Sequence, residues 1–385
     1  MKFKPSPTHT VGVEWELQLL DSETLDLSDG ILPLMEFFPD ATFVKPELIQ
    51  SCVELNSCIA DNSNEAVAHL QLSLQRLLQR CEELEMNVCG GGTHPFCRRL
   101  ALITPLPRYR RLEKTSGYLA HTQITFSTHV HIGMHSGDQA MLAMVRLIPA
   151  LSAFIALSAN SPFWRGHETG HAAYRHRILA AAPNYGLPST FEDWQAFDNF
   201  LQAASRASMI RTFKDIHWDI RPHPDFGTLE IRVMDSALNL RAVHALVAFA
   251  RCLAVRLAEA SASEVAEVLP TGLPYWIEKQ NCYRASLLGL DAEYIINERG
   301  THRPLFDVVT ELLDFCEAVA PRINESHGLQ ITRSLLAARP GYEAQVDAYR
   351  KAHSARSIVE MLQHSLVDAA EPNRVDKALA ASPGA

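Results

Sequence analysis

Four segments of the chain alternate polar and apolar residues with a period of two, the pattern of a β-strand with one buried face. They are residues 12–18, 50–56, 123–132 and 228–233. One face of each segment is apolar, whereas the other carries side chains that can bind a metal ion or an anion. We expect the apolar faces to pack on helices and the polar faces to meet on one side of a shared sheet. The polar side chains are Glu14, Glu16, Gln18, Glu54, Asn56, Gln123, Thr125, Ser127, His129, His131, Glu230 and Arg232.

Longer segments with helical spacing predict the helices that cover this sheet. Residues 61–65 contain helix-capping side chains and precede a long amphipathic helix. Residues 138–159, 242–261 and 304–322 are also predicted to be helical, whereas residues 1–10 are expected to be a disordered lead. The apolar stripe of the first helix consists of Leu70, Leu74, Leu77, Leu78, Cys81 and Leu84.

The most apolar stretch of the chain is interrupted by Arg146 and Pro149. We therefore interpret it as a buried helix and expect no membrane span.

Two connecting segments have a composition of their own. Residues 88–95 read as a strand that runs into three glycines, which permit either a tight turn or a close approach to a ligand. Residues 158–177 are polar and aromatic, which suits a substrate-binding lid. Within this lid, Arg165, Arg175 and Arg177 could grip a carboxylate or a phosphate with two hydrogen bonds each.

Composition narrows the class of protein. The chain has 385 residues, of which 47% are hydrophobic, so it is long enough to bury a large core. Its formal net charge of −9 argues against a nucleic-acid or anionic-membrane surface. Eight cysteines form no Cys-x-x-Cys pair, and we recognise no N-terminal signal sequence. We expect a cytoplasmic protein with reduced thiols.

The clustered acidic side chains indicate a cation. Carboxylates that share one face repel each other and raise each other's pKa values, a cost that a divalent ion removes. An oxygen-rich site suits Mg²⁺ or Mn²⁺, and Mg²⁺ usually completes its shell with water and substrate phosphates. Arg232, beside Glu230, suggests such a phosphate. The chain lacks a phosphate loop and a dinucleotide fingerprint, so a nucleotide would be held by metal, arginines and a cleft.

Each motif taken alone has an ordinary explanation. Glu14 and Glu16 fit the solvated face of an antiparallel strand. A His-x-His pair occurs both as metal ligands and as hydrogen-bonded core histidines, and Glu-x-Arg is often a surface ion pair. The occurrence of all four motifs on strands rich in buried-type residues favours a shared functional site.

An ordered set of short motifs also resembles a known family. The motifs are residues 12–16 (Gly-Val-Glu-Trp-Glu), 92–96 (Gly-Thr-His-Pro-Phe), 129–133 (His-Val-His-Ile-Gly), 161–164 (Ser-Pro-Phe-Trp), 218–222 (Trp-Asp-Ile-Arg-Pro) and 228–232 (Thr-Leu-Glu-Ile-Arg). In this order they resemble the carboxylate–amine ligases of the type 2 glutamate–cysteine ligase family.

This resemblance implies a glutamine-synthetase-like α+β fold, with a curved, mainly antiparallel sheet that forms a funnel-shaped site and packs on helices. The family motifs cover roughly residues 11–300, and we expect one catalytic ligase domain over residues 1–370. Residues 371–385 are read from the sequence as a flexible C-terminal tail. The implied activity is ATP-dependent joining of a carboxylate, such as that of glutamate, to an amine through an acyl phosphate, with Mg²⁺ or Mn²⁺. The implied partners are these small molecules, with no nucleic acid or membrane, and a homodimer is compatible with the resemblance.

The resemblance also implies roles for particular residues. Arg232 would contact the transferred phosphoryl group, beside Glu230. Arg175, Arg177 and Arg221 would hold the nucleotide phosphates or substrate carboxylates. The implied metal ligands are Glu14, Glu16, Glu54, His131 and Glu230, with His129 as either a ligand or a substrate contact.

The chain departs from the family pattern at one position, where Leu287 replaces an arginine. The departure predicts altered substrate or nucleotide contacts near this residue. Two other classes of protein stay open. A metal-dependent hydrolase would use His129 and His131 with a bound water and would contain zinc. A non-catalytic binding protein on the same scaffold would bind ATP without turning it over.

Overall fold

A computed structural model describes residues 1–182, 184–338 and 341–368 of the chain. The predicted tail over residues 371–385 lies outside the described residues. The strands are β1 (Val11–Asp21), β2 (Val44–Pro46), β3 (Cys52–Asn56), β4 (Met86–Cys89), β5 (Ser127–Gly133), β6 (Phe163–Trp164), β7 (His167–Glu168), β8 (Tyr185–Gly186), β9 (His217–Trp218), β10 (Ile220–His223), β11 (Thr228–Asp235), β12 (Glu293–Ile295) and β13 (His302–Pro304).

Helices surround these strands, and short 3-10 turns lie at Ile148–Ala150, Phe213–Asp215 and Gly289–Asp291. The α-helices are α1 (Ile31–Met35), α2 (Ser63–Glu83), α3 (Pro107–Ser116), α4 (Tyr118–Thr122), α5 (Gly137–Leu147), α6 (Leu151–Ser158), α7 (Arg175–Leu179), α8 (Trp194–Arg206), α9 (Leu240–Glu259), α10 (Ala262–Val268), α11 (Tyr275–Leu288), α12 (Leu305–Cys316), α13 (Ser326–Ala337), α14 (Gly341–Ala352) and α15 (Ala355–Asp368).

The main sheet has seven strands, in the order β10-β11-β5-β1-β3-β2, with β4 paired to the far end of β1. Every strand pair within it is antiparallel. The four segments predicted from their alternation all belong to this sheet. The predicted α+β architecture, with a mainly antiparallel sheet packed on helices, is confirmed.

The apolar face of the sheet is buried against helices, as the alternation predicts. Trp15 has no exposed surface, and its indole Nε1 donates a hydrogen bond to the carbonyl oxygen of Ala237. Helices α2, α5 and α9 contact strands on this side of the sheet. The buried strand residues include Val13, Leu17, Val53, Leu55, Val130, Ile132, Leu229 and Ile231.

The predicted helices are present, with small differences at their ends. Asn62 caps α2, because its side chain accepts a hydrogen bond from the backbone N–H of Glu65. Residues 304–322 were predicted to be one helix, but α12 ends at Cys316. In the described part of the chain, one helical stretch, Gly137–Ser158, is long and apolar enough to cross a membrane, and 83% of its most apolar 18-residue segment is buried inside the protein. It is a core helix.

The first ten residues are packed, so the predicted disordered lead is wrong. The backbone N–H of Lys4 donates to the carbonyl oxygen of Pro224, and Phe3 lies edge-on to Trp194 with ring centres 5.1 Å apart. Gly227 has a φ of 70°, and a Cβ there would lie 1.6 Å from the Lys4 carbonyl oxygen. Glycine is required at this turn because the absence of a Cβ lets the N-terminal segment, residues 1–10, approach the sheet.

Candidate active site

A cavity of about 290 Å³ opens on the polar face of the main sheet. Strands β1, β3, β5, β10 and β11 form its floor, and residues of β2, α3, α7, β8 and β9 form its walls. The structure therefore brings the predicted polar faces together around one space. The predicted side chains that line it are Glu14, Glu16, Glu54, Gln123, Thr125, Ser127, His129, His131, Arg175, Arg221, Glu230 and Arg232.

Glu14, His131 and Glu230 form the tightest group on the floor, with one ligand-type atom of each within 4.8 Å of the others. Strand register produces this group, because Glu230 lies opposite His131 and Glu14 lies opposite His129. Nε2 of His131 is 3.3 Å from Oε1 of Glu14 and 3.9 Å from Oε1 of Glu230. Nδ1 of His129 is 3.0 Å from Oε2 of Glu14. This geometry could hold one cation between two carboxylates and an imidazole.

Two imidazole nitrogens at this group support that interpretation. Among the described residues, Nε2 of His129 is buried without a hydrogen-bond partner. Nε2 of His131 is buried and lies 3.3 Å from Oε1 of Glu14, without the geometry of a hydrogen bond. A buried polar atom without a partner costs about 1–3 kcal/mol. A divalent cation accepts imidazole nitrogen and carboxylate oxygen in one shell, so the residues fit a metal ion. The oxygen-rich surroundings suit Mg²⁺ or Mn²⁺.

The charges of this group are mutually stabilised. Burial disfavours the charged form of Glu14, but His131 and His129 outweigh burial and hold its pKa well below the usual range. Burial disfavours the charged form of His131, but Glu230 and Glu14 outweigh it and raise the pKa of the imidazole. Burial, and then the charge of Arg232, lower the pKa of His129 to about 4. His129 is therefore neutral at neutral pH and can donate a nitrogen lone pair.

Glu230 is clamped between two guanidinium groups. Arg221 contacts both of its oxygens, with Nε 2.8 Å from Oε2 and Nη2 3.3 Å from Oε1. Arg232 donates from Nη1 to Oε1 of the same carboxylate. Burial would raise the pKa of Glu230, but Arg221 and Arg232 outweigh it and hold the pKa well below the usual range. The sequence placed Glu230 and Arg232 on one face, and strand β10 supplies Arg221 directly opposite Glu230.

Arg175 lines the cavity and also supports the strand that carries Arg232. Its Nη1 lies 3.2 Å from the carbonyl oxygen of Val233, and its Nη2 lies 3.3 Å from that of Arg232. Between Ile231 and Met234, the register of β11 against β5 shifts at an irregularity. Arg175 therefore ties down the irregular part of the strand. The predicted contact of Arg175 with phosphates or carboxylates stays a prediction.

A second group of carboxylates lies on the other half of the floor. Glu16 is opposite Glu54 across β1 and β3, and Glu47 lines the same part of the cavity. Burial, and then the charge of Glu47, raise the pKa of Glu16 to about 7. Burial, and then the charges of Glu14 and Glu47, raise the pKa of Glu54 well above the usual range. Lys45 lies 3.9 Å from Glu54, so this half of the site has fewer cations than carboxylates.

These raised pKa values predict a pH-dependent affinity for divalent cations. A metal ion needs Glu16 and Glu54 deprotonated, whereas a raised pKa keeps each carboxyl protonated at pH values where an ordinary glutamate is charged. Mn²⁺ affinity should therefore rise as the pH rises through about 7, by up to about tenfold per pH unit for each proton displaced. Calorimetry in two buffers of different ionisation enthalpy measures the protons released. Equal affinity across that range, with no proton release, would contradict the assignment.

Four of the predicted residues do not line the cavity. Asn56 lies beside it, where its amide nitrogen donates to Oε1 of Glu54 at 2.6 Å. Arg177 does not line it, and its guanidinium lies over the ring of Tyr283, 5.5 Å from the ring centre. Gln18 is buried behind the cavity, where its amide nitrogen donates to the carbonyl oxygens of Gly90 and Gly91. Arg165 lies in a separate cleft.

The predicted lid is an ordered hairpin. Strands β6 and β7 pair, and the following residues bond to α11 through Ala172 N–H to the carbonyl oxygen of Leu287. Of residues 158–177, only Arg175 lines the main cavity. The lid interpretation is therefore wrong for most of this segment.

The glycine-rich turn after β4 serves packing. A Cβ on Gly92 would lie 2.6 Å from Cγ of Asp235, and one on Gly90 would lie 2.2 Å from the carbonyl oxygen of Ala237. The close approach that these glycines permit is therefore to the end of β11 and the residues after it, and not to a ligand.

Several residues of the cavity were missed by the sequence reasoning. Arg108 and Tyr109 of α3 line one wall, as does Lys214 of the 3-10 turn. These residues come from short elements without a repeating pattern. Aromatic pairs complete the walls: Tyr185 stacks on His217 at 4.8 Å, and His223 stacks on Phe226 at 3.9 Å between ring centres. No period of two or 3.6 marks any of them.

Leu287 also lies away from the cavity. Its side chain lines a different cleft, together with Glu168, Asp291 and Arg350. We therefore expect Leu287→Arg to leave the ranking of carboxylate substrates and the nucleotide Michaelis constant unchanged, and to change stability by no more than about 1 kcal/mol, as exposed ion pairs do. Parallel kinetics and thermal unfolding of both proteins measure this. A changed substrate ranking would restore a role for Leu287 in specificity.

Comparisons with known sequences agree on one family. The sequence model described as glutamate-cysteine ligase family 2 matches residues 10–362. A protein of Trichormus variabilis named "Putative glutamate–cysteine ligase 2" is 41% identical over 366 residues, covering 95% of each chain. A protein of the same name from Mycobacterium tuberculosis is 34% identical, over 95% of this chain and 97% of the relative.

Solved structures share the fold at low sequence identity. The glutamate–cysteine ligase of Francisella tularensis, solved in complex with AMP, has a TM-score of 0.64 at 13% identity and covers 100% of this chain and 97% of its own. A bifunctional glutathione synthetase of Pasteurella multocida has a TM-score of 0.67 at 12% identity, over 94% of this chain and 52% of its own. These likenesses confirm the predicted fold class.

Proposed function

The chain belongs to glutamate–cysteine ligase family 2, and from that premise we propose that it is an ATP-dependent carboxylate–amine ligase. In the proposed reaction, ATP phosphorylates the carboxylate of one substrate, and the amine of a second substrate then displaces phosphate to form an amide. We propose amino acids as the substrates, with glutamate first among the carboxylates, because the relatives are named as ligases of glutamate and cysteine.

One observation carries this proposal. Glu14, His131 and Glu230 offer a compact ligand set, and Arg221 and Arg232 lie against it on the same face of the sheet. Anionic metal ligands beside two guanidinium groups suit a metal-bound phosphate chain, whose charge needs both a cation and planar donors.

The metal would be held by two sets of side chains. Glu14, His131 and Glu230 form the first set, and Glu16 and Glu54 form the second, with His129 beside the first. A divalent cation bound there supplies positive charge to the phosphate oxygens as a Lewis acid. The second set has raised pKa values, so it is the set that gains most from a cation.

The arginines would stabilise the phosphoryl group while it is transferred. Arg232 bonds Glu230 through Nη1, and a guanidinium has five N–H donors, so further donors are available for a phosphoryl oxygen. Glu230 keeps both arginines in place by pairing with each. We propose that Arg221 chiefly orients this group and that Arg232 chiefly contacts the phosphoryl oxygens.

The two proposed steps need no side-chain nucleophile. A carboxylate oxygen of the substrate attacks the γ-phosphorus, the bond from phosphorus to ADP breaks, and an acyl phosphate forms. The amine nitrogen then attacks the acyl carbon, phosphate leaves with the electron pair of the C–O bond, and the nitrogen releases a proton. Both steps depend on positioning and on electrostatic stabilisation of phosphoryl charge.

An adenine nucleotide is the proposed phosphoryl donor. The ligase of Francisella tularensis with the same fold was solved with AMP, which supports an adenine nucleotide here. The ring of Phe226 stacks on His223 and is 59% exposed at the rim of the cavity. This exposed aromatic face is available to a nucleotide base, since bases stack on aromatic rings without a need for a specific edge.

An ADP-release screen tests the proposed function. Amino acids are offered one at a time with pooled amines, first with Mg²⁺ and then with a chelator. The proposal predicts ADP release that needs a carboxylate and Mg²⁺, and a product that contains an amide bond. Zinc in the purified protein together with hydrolysis that proceeds without ATP would favour the hydrolase. ATP binding with no ADP release for any substrate would favour the binding protein.

We also predict that ATP binding depends on a divalent cation. Carboxylates crowd the floor of the cavity, Arg221 and Arg232 are already paired with Glu230, and the chain lacks a phosphate loop. A triphosphate therefore needs a cation between its oxygens and these carboxylates. Calorimetry should show ATP binding with Mg²⁺ and an affinity at least about tenfold lower with excess chelator. A tenfold difference corresponds to about 1.4 kcal/mol of binding free energy. Equally tight binding under both conditions would count against the metal-bridged arrangement.

A further inference from the structure

A further cleft, of about 510 Å³, lies beside the β6–β7 hairpin and shares no lining residue with the main cavity. We refer to it as the hairpin cleft. Its lining residues in the described part of the chain include no carboxylate. They are Arg98, Trp164, Arg165, His167, Thr169 and Tyr174.

The hairpin cleft has positive charge without a counterion among the residues that the structure describes. Neither Arg98 nor Arg165 forms an ion pair with any described residue, although the whole chain has a net charge of −9. Nε of Arg98 donates to the carbonyl oxygen of Arg165 at 3.2 Å, which holds the two residues together. Nε of Arg165 is enclosed and has no hydrogen-bond partner in the described part of the chain. Two adjacent guanidinium groups that lack carboxylate partners are the features of an anion site.

The backbone of the hairpin is strained at one of these arginines. Arg165 and Gly166 form a two-residue turn in which both φ angles are positive, at 52° and 83°. Such turns favour asparagine followed by glycine, so an arginine at the first position costs free energy that glycine would not. A Cβ on Gly166 would lie 3.0 Å from Nη2 of Arg98, so the turn also brings Arg98 close. Strain that is kept at a cationic side chain indicates a role for that side chain.

Two aromatic rings stand beside the guanidinium groups. The Arg165 guanidinium carbon lies 5.8 Å from the ring centre of Trp164, and the rings of Trp164 and Tyr174 are 6.4 Å apart and inclined at 47°. The inclined rings form a corner and not a parallel clamp. A flat ligand ring can therefore stack on one ring while its anionic group reaches the arginines.

We propose that the hairpin cleft binds a phosphomonoester attached to a planar heteroaromatic ring, the chemistry of a nucleoside monophosphate. A phosphomonoester carries close to two negative charges at neutral pH, which matches the two arginines. Arginine contacts phosphate oxygens with two parallel N–H groups, and the indole and phenol rings supply the stacking surface. The volume of the cleft lies within the range of small-molecule sites.

The test is a binding measurement that does not involve turnover, so it is independent of the proposed ligase activity. Guanosine 5′-monophosphate, ribose 5-phosphate and inorganic phosphate are titrated separately by calorimetry into the full chain with excess chelator. The chelator keeps divalent cations out of the main cavity. We expect guanosine 5′-monophosphate to bind at one site, at least tenfold more tightly than ribose 5-phosphate, because only the former has a ring that stacks.

The Arg165→Gly variant distinguishes an effect on nucleotide binding from an effect on the stability of the fold. Glycine suits the positive φ, so this variant should unfold at the same temperature as the wild type or higher, yet bind the nucleotide at least tenfold more weakly. Arg98→Gln should weaken binding similarly. Arg111→Gln is the matched control, because Arg111 is an exposed arginine of α3 outside the cleft, and it should bind as the wild type does.

Three results would overturn the proposal. The first is no saturable binding of guanosine 5′-monophosphate. The second is equal affinity for the nucleotide and ribose 5-phosphate, because the rings would then take no part. The third is wild-type affinity in Arg165→Gly, because the nucleotide would then bind elsewhere on the protein.

Discussion

Glu230→Gln is expected to raise the Mg²⁺ concentration needed for half-maximal ADP release by more than about a hundredfold. Mutation of a residue that only hydrogen-bonds a metal ligand already lowers metal affinity or activity about 10- to 100-fold. Glu230 is 1% exposed and is the shared partner of Arg221 and Arg232. The neutral amide keeps the shape of the side chain but leaves the buried guanidinium of Arg221 and the half-buried guanidinium of Arg232 without their counterion. Breaking such a buried pair costs about 3–5 kcal/mol of unfolding free energy. Mg²⁺ titrations of turnover and denaturant unfolding measure the two effects.

Glu278→Gln is the matched control for this variant. Glu278 is also a buried glutamate, 5% exposed, but it lies on α11 and does not line the cavity. Burial raises the pKa of Glu278 to about 8, so the carboxyl is mostly protonated at neutral pH and resembles the amide. The Mg²⁺ requirement of this variant should equal that of the wild type. An unchanged Mg²⁺ requirement in Glu230→Gln would remove Glu230 from the proposed metal site.

Arg232→Lys is expected to lower turnover by about 10²- to 10³-fold, or about 2.7–4 kcal/mol, the effect of removing one donor from a transition-state site. The Michaelis constant for ATP should change little. Lysine keeps the positive charge beside Glu230, so the carboxylate keeps a partner. Lysine lacks the planar fork that can bond Glu230 and a phosphoryl oxygen together. A loss confined to turnover indicates an interaction made mainly in the transition state.

Arg177→Lys is the control for this second variant. Arg177 belongs to α7, as does Arg175, but its guanidinium lies over Tyr283 and does not line the cavity. The turnover and Michaelis constants of the Arg177→Lys enzyme should match those of the wild type. Near-normal turnover in Arg232→Lys would return the Glu230–Arg232 pair to a purely structural role.

The sequence predicts which side chains share one face of a strand, but not which strands pair with each other. The period of two places Glu14 and Glu16 on one face because side-chain direction along a strand is local. The pairing of Glu14 with His129 depends on register between β1 and β5, which are separated by more than a hundred residues. The position of Arg221 beside Glu230 could not be predicted for the same reason, since it depends on the pairing of β10 with β11.

Residues outside regular alternation were harder to place. Arg175 and Arg177 are two positions apart on α7, and residues at that spacing face different sides of a helix. Sequence alone could not say which of them faces the cavity. Arg108 and Lys214 come from separate short elements, and their approach to the sheet depends on tertiary packing. The packing of Phe3 likewise depends on Trp194, almost two hundred residues away.

A homodimer and a cytoplasmic location stay predictions, as does one catalytic domain over residues 1–370. The roles of the individual site residues rest on the proposed reaction, so the reaction itself is the first matter to measure.

Transfer of oxygen from the carboxylate substrate to phosphate tests the central claim most directly. The carboxylate that the ADP-release screen ranks first is labelled with ¹⁸O and turned over with Mg²⁺, ATP and its amine partner. An acyl phosphate passes one carboxylate oxygen to the departing phosphate, so the proposed mechanism predicts one ¹⁸O atom in each phosphate released, detected by mass spectrometry. Phosphate that contains no ¹⁸O would contradict phosphorylation of the carboxylate.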